Sequence, residues 1–280
     1  MEIELHERAF DGLSLEGRAW LPEEEVRGVV GVVHGLGEHI GRYAPAAEFF
    51  NRQGWALAGY DLRGHGRSAG KRGHTPDYES LLAQLDLLYH SLREGHPGRP
   101  LFFWGHSMGG NLVLYWLLSR KPALHGAIVT GPWLQTARPV PAPLLALAHL
   151  MNLLFPPFAQ SNGLDPADLS RDPAVGQAYR NDPLVHDRIS VRTALEMMRA
   201  GRRLLNHRGN LPVPTLLMHG SADRMTSFEA SRRFADQHGN LQWVPWEGAF
   251  HELHHETNRE EVLQTMLRWM EQHATHPLTT

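Results

Sequence analysis

Residues 105–109 read Gly-His-Ser-Met-Gly, a G-x-S-x-G stretch centred on Ser107. A serine hydroxyl is a poor nucleophile at neutral pH. It needs a base to take its proton and a carboxylate to orient that base. Small residues around the serine allow a sharp strand-to-helix turn that lifts the hydroxyl out of a sheet. The same residues also suit a glycine-rich turn with an incidental serine, so the partners must decide. In the order Ser…Asp/Glu…His, Asp223 follows the strand-like "TLLMHG" and His251 follows the strand-like "LQWVPW". Aspartate after a strand is most often a turn residue, and His251 is one of 19 histidines. Both nevertheless stand where the carboxyl end of a sheet would present them. Ser107, Asp223 and His251 are therefore the expected nucleophile, orienting acid and base.

Acyl transfer also needs donors for the developing oxyanion, each worth about 10²–10³ in rate. The backbone N–H of Met108, after the nucleophile, is one candidate. Leu36, in "HGLGEHIGRY" after the third strand, is the other, although that stretch also reads as a flexible βα turn. Residues 251–255, His-Glu-Leu-His-His, match the zinc-protease pattern H-E-x-x-H. That chemistry needs His251 and His255 on one helical face, together with a third ligand. A Gly248-Ala249-Phe250 turn after a strand puts His251 ahead of any helix, so no metal and no cofactor is expected.

The elements that must position these residues follow from periodicity. Glu2–Phe10 and Ser14–Pro22 alternate about Asp11-Gly12 and predict a hairpin. "GVVGVVHG" predicts a buried strand ending near His34, and Trp55–Tyr60, Leu101–Trp104 and Gly126–Thr130 predict three more. Helices are predicted between them. One carries Tyr43, Ala46, Ala47 and Phe50 on one face; another is capped by Asp77 and buries Tyr78, Leu81, Leu82, Leu85 and Leu88. Strands alternating with helices imply a parallel sheet with right-handed crossovers. From Pro132 to about Asn210 the rhythm breaks, prolines accumulate and no strand stands out. Residues 1–131 and 211–280 are expected to form one α/β core, with 132–210 a helical cap inserted over it. Within the insertion, "APLLALAHLMNLLFPPF" predicts a helix with Pro143 in its first turn and Pro156 ending it. A helix apolar over most of its circumference is either buried on all sides or touches something apolar. Leu147, Leu150, Met151 and Leu154 are the expected acyl-pocket residues on it.

Composition narrows the classes. The 280 residues, 42% hydrophobic and 20% charged, suit one large globular unit. A net charge of −3 without a basic stripe argues against nucleic acid as a partner. Cysteine is absent, which removes disulfides and thiol chemistry and fits a reducing compartment. The charged N-terminus lacks the apolar core of a signal peptide, and no run of about 18 apolar residues predicts a membrane span. A cytoplasmic protein is expected, with peripheral contact to a membrane or micelle surface through the cap.

The stretches "HGLGEHIGRY", "YDLRGHGRSAGKRGH", "GHSMGG", "AYRNDPL", "HGSADRM" and "HELHHE" span nearly the whole chain. In sequence and order they resemble the monoacylglycerol lipase and lysophospholipase group of serine α/β-hydrolases. The resemblance implies an eight-stranded, mostly parallel sheet with flanking helices and a helical cap. It implies cofactor-free ester hydrolysis through an acyl-serine, with a small lipid ester as substrate. It also implies that Glu38, Arg42, His106, Tyr179 and His254 hold the glycerol head group. Without the resemblance, Glu38 and Arg42 read as a solvated i, i+4 pair. Lysophospholipids and short general esters are the alternative substrates. A non-enzymatic member of the fold would be expected to have lost one of the three triad residues.

Overall fold

The computed structural model describes residues 1–275. Strand β1 (Glu2–Arg8) and strand β2 (Ser14–Trp20) form the N-terminal hairpin. Then β3 (Gly28–Val33), α1 (Ala44–Asn51), β4 (Trp55–Tyr60), α2 (Glu79–Gly95), β5 (Leu101–His106), α3 (Met108–Arg120) and β6 (Gly126–Thr130) alternate as their sequence period demands. After an excursion the pattern resumes with β9 (Thr215–Gly220), α7 (Phe228–Ala235), β10 (Leu241–Trp246) and α8 (Arg259–His273).

The eight strands lie in the order β1-β2-β4-β3-β5-β6-β9-β10, with β2 antiparallel to both neighbours and the remaining pairings parallel. This is the α/β-hydrolase fold. The inner strands are covered on both faces, which is why β3, β4, β5, β6 and β9 are buried at every position. One face packs on α2 and α3 through Leu81, Leu85, Phe103, Val113 and Trp116. The other packs on α1 and α8 through Tyr43, Phe50, Trp104, Met266 and Trp269. Asp77 accepts from the Ser80 N–H at 2.7 Å, capping α2 from two residues before its first residue, Glu79.

Between β6 and β9 the chain leaves the sheet. Helix α4 (Ala142–Leu154), strand β7 (Ala159–Ser161), α5 (Pro173–Asn181), strand β8 (Arg188–Ser190) and α6 (Val191–Asn206) lie here. The β7–β8 pair is antiparallel and corrects the expectation of an all-helical insertion: three-residue strands are too short to show alternation. The second half of the excursion is bonded to loops of the core. His186 N–H donates to the Gly37 carbonyl at 2.9 Å, Ser190 N–H to that of Gly73 at 2.9 Å, and His39 meets Asp182 at 2.8 Å. Helix α4, by contrast, packs on α6 and buries none of its residues fully. Among the described residues no helix is long and apolar enough to cross a membrane.

Candidate active site

Strand β5 runs two residues further than its apolar run, through Gly105 and His106, so the elbow is the single residue Ser107. Its backbone sits at φ 53°, ψ −114°, a conformation L-residues avoid. The surroundings hold it there: Ser107 N–H donates to the Thr130 carbonyl at 2.9 Å, and its own carbonyl accepts from Trp133 N–H at 2.9 Å. The glycines answer a packing demand. A Cβ at Gly105 would strike the Gly109 carbonyl, and one at Gly109 would strike the Val33 carbonyl. Met108 opens α3, so its N–H is among those the helix leaves unbonded.

Asp223 lies in the loop from β9 to α7. Its Oδ1 accepts from the Met225 and Thr226 N–H groups at 2.7 and 3.0 Å. Its Oδ2 is 2.6 Å from His251 Nδ1, 3.0 Å from His219 Nε2 and 2.8 Å from Thr226 Oγ1. Burial pushes the Asp223 carboxyl up, but the facing His251 and the bond from His219 outweigh it and hold the group well below the usual carboxylate range. The converse holds for His251. Burial lowers it, yet Asp223 raises it above its ordinary value. With Nδ1 committed to Asp223, Nε2 is the ring nitrogen left on the side of the cavities that His251 and Ser107 both line. His219 and Thr226 were missed in the sequence. The available signal was a histidine placed at the end of the otherwise apolar "TLLMHG".

The H-E-x-x-H residues do not build the helix that a zinc site requires. Leu253–His255 is one 3₁₀ turn that starts after His251. Glu252, His254 and His255 do cluster, but both Glu252 oxygens are taken by the Arg42 guanidinium at 2.5 and 2.7 Å. A second cation there would face that guanidinium.

Two cavities meet over Ser107 and His251. The larger, about 290 Å³, is walled mainly by apolar side chains, among them Trp133, Leu144, Leu147, Met151, Leu195 and Met198. The smaller, about 160 Å³, is lined by Glu38, His106, Tyr179, Asn162, Asp187 and Glu252. Leu36, Ser107 and His251 line both. The structure thus brings Leu147 and Met151 to the apolar cavity. Leu150 and Leu154 do not line it. A helix apolar all round gives no spacing signal for which face turns inward, so the expectation placed those two on the wrong side.

In the polar cavity Glu38, His106 and Tyr179 reach the wall, while Arg42 and His254 stand one layer behind it. Glu38 accepts from the Gly35 N–H at 2.6 Å, from Tyr43 O–H at 3.0 Å and from Arg42 at 2.8 Å. Arg42 then bridges to Glu252, beside His251, and its guanidinium lies 4.8 Å over the Tyr179 ring. The Glu38–Arg42 pair is buried, not solvated. Burial alone would raise Glu38, but Arg42, His106 and His34 hold it at about 2. Burial and then His251 push His106 down to about 4, so its ring is neutral at neutral pH. His254 stacks on Tyr43 at 4.9 Å, and neither of its ring nitrogens has a hydrogen-bond partner among the described residues.

The model of the family described as serine aminopeptidase, S33, matches residues 24–258. An uncharacterised abhydrolase domain-containing protein of Dictyostelium discoideum is 35% identical over 94% of this chain, which spans only 28% of that protein's length. A monoacylglycerol lipase of Mycolicibacterium smegmatis is 33% identical over 94% of each chain. The crystal structure of Paleococcus ferrophilus monoacylglycerol lipase superposes with a TM-score of 0.80 at 34% identity, covering 92% of this chain and 99% of that one.

Proposed function

Because the chain belongs to the serine aminopeptidase S33 family of α/β-hydrolases, we propose that this serine ester hydrolase cleaves monoacylglycerols to fatty acid and glycerol. The observation that carries the substrate is the pair of cavities, one almost wholly apolar and one richer in polar and charged side chains, sharing Ser107 and His251. A monoester of glycerol divides the same way, with its acyl chain on one side of the carbonyl and its hydroxyls on the other.

In this reading His251 Nε2 takes the Ser107 proton as Oγ attacks the ester carbonyl, and Asp223 holds the imidazole and offsets its charge. The N–H groups of Leu36 and Met108 hold the oxyanion. Glycerol leaves with the proton from His251, and an acyl-serine remains. Water then gives its proton to His251 and attacks the acyl carbon; as the acyl–Oγ bond breaks, His251 returns that proton to Ser107 and the fatty acid leaves. Glu38, His106 and Tyr179 bind the glycerol hydroxyls directly; Arg42 and His254 act by holding Glu38 and His106 in place. Residues 132–210 serve as the cap, with Leu147 and Met151 against the acyl chain. The outer face of α4, with Leu150, Leu153 and Leu154, rests on a lipid aggregate while substrate enters from it. The enzyme is then cytoplasmic and peripheral to membranes.

The polar cavity also weighs against lysophospholipids. Among the described residues no Lys or Arg lines it; Arg42, one layer behind, is already bonded to Glu38 and Glu252, and Asp187 adds a further carboxylate, so a phosphodiester anion finds no unpaired cation at the wall. The test is a hydrolysis panel of monoacylglycerols, lysophosphatidylcholine and p-nitrophenyl esters of graded length, with fluorophosphonate labelling. Monoacylglycerol turnover is expected to exceed that of lysophosphatidylcholine. Ser107→Ala is expected to lose labelling and to lose kcat by about 10⁶. Activity in Ser107→Ala that disappears with chelator and returns with zinc would overturn the mechanism.

A further inference from the structure

Asp223 is held by more than its base. His219 has no exposed surface, and its Nε2 approaches Oδ2, the oxygen that His251 Nδ1 also meets. An ionised carboxylate only accepts, so His219 Nε2 carries the hydrogen. The ring is fixed at its other end too: Nδ1 meets Ser231 Oγ of α7 at 2.8 Å, and the Phe228 ring closes edge-on at 5.7 Å. Two backbone N–H groups on Oδ1 and two imidazole N–H groups on Oδ2 fill the roughly four lone-pair sites of a carboxylate. Thr226 has one hydroxyl hydrogen, and its second acceptor, the Gly131 carbonyl, lies at 3.0 Å. That one hydrogen serves either Oδ2, at 2.8 Å, or the Gly131 carbonyl, so the hydroxyl cannot replace the His219 N–H and satisfy Gly131 at once.

We propose that His219 is a positioning residue for the ester hydrolysis, a second imidazole that fixes the Asp223 carboxylate and shares the negative charge His251 feels. The proposal rests on reading Ser107, Asp223 and His251 as the triad. Two consequences follow. Without the His219 N–H, Oδ2 keeps one donor fewer while Oδ1 stays bound to its two backbone N–H groups, so the carboxylate is held less firmly and the alignment of His251 with Ser107 loosens. With one imidazole N–H removed from Oδ2, His251 also feels more of its negative charge, so the imidazolium is favoured. The other ionisable groups facing His251 are Glu252 beside it and Glu38, His106 and His254 around the polar cavity, and none of them touches His219.

The experiment is the pH profile of kcat/KM on p-nitrophenyl butyrate for His219→Leu and His219→Gln. In His219→Leu the acid limb is expected to move up by about half to one pH unit, and kcat to fall about tenfold with KM little changed. His219→Gln, whose amide can donate from the same strand, is expected to recover most of both. A fault in folding alone would lower the active fraction without moving the limb. An unmoved limb in His219→Leu, or identical behaviour of the two variants, overturns the proposal. If His219→Leu fails to fold, Ser231→Ala decides by removing the ring's other anchor: a limb displaced upward supports the proposal, and an unmoved one overturns it. Ser107→Ala is assayed alongside, and turnover surviving there would overturn the triad reading itself.

Discussion

Replacing Arg42 by alanine is expected to damage the fold before it damages substrate recognition. The side chain is 9% exposed and lies between the carboxylates of Glu38, 3% exposed, and Glu252, 2% exposed. Removing it leaves two buried carboxylates near one another without their cation, a change that costs about 3–5 kcal/mol. The titration behaviour gives a similar size. Glu38, held at about 2 against an ordinary 4.5, contributes on the order of 3 kcal/mol at neutral pH. Because its value is depressed, this contribution is present above pH 4.5 and is lost as pH falls towards 2. In Arg42→Ala the sign reverses. Burial then pushes both carboxyls up, and the destabilisation is relieved as pH falls through their raised values. For a chain of this size, 3 kcal/mol corresponds to a fall in Tm of roughly 6–12 °C. Scanning fluorimetry at pH 8 and pH 5.5 is expected to show a fall of that size at the higher pH and a smaller one at the lower. Arg42→Lys is expected to lie between, since an ammonium does not span both carboxylates as a fork does. An Arg42→Ala protein melting within about 2 °C of the wild type at pH 8 would refute the reasoning, because a buried pair cannot lose its cation so cheaply.

Leu153 is 80% exposed, so Leu153→Glu is expected to leave the melting temperature nearly unchanged. Turnover of long-chain monoacylglycerol in micelles should nevertheless fall well below that of a soluble short ester; parallel losses would remove the lipid-contact role of α4. In the wild type, Asp223 outweighs burial at His251, so the group must lose its proton at a pH above its ordinary value before it can act as base. The acid limb of kcat/KM is expected above about pH 6.5, and a midpoint below that would mean the pair is not coupled as the geometry has it.

Much of the architecture was legible because it rests on local rules. The strands at Trp55–Tyr60 and Gly126–Thr130 begin and end where apolar runs meet turn residues. Ser107, Asp223 and His251 could be picked out as candidates because each follows a strand, and strand ends are visible one segment at a time. What escaped depends on contacts between distant segments. Glu38 and Arg42 look like an ordinary surface pair until Glu252, far along the chain, is folded against them. The inward face of α4 is set by α6, not by its own pattern, so Leu150 and Leu154 could not be told from Leu147 and Met151 by spacing. The β7–β8 pair depends on partners on opposite sides of α5, and neither half carries a period of its own.

The unequal attachment of the excursion bears on how this enzyme can change. Its second half is stitched by hydrogen bonds to Gly37 and Gly73, and through His39 to the loop that carries Leu36. A shift of the backbone there reaches the loop that carries Leu36. Helix α4 has no such stitching and is roofing laid on α6. If the apolar cavity holds the acyl chain as proposed, exchanging the α4 residues that line it for larger or smaller ones would change its length while leaving the loops around Ser107 in place. Novelty in substrate length can therefore accumulate on this one helix at little cost to rate, and a graft of residues 142–154 from a relative should carry its donor's chain-length preference with it.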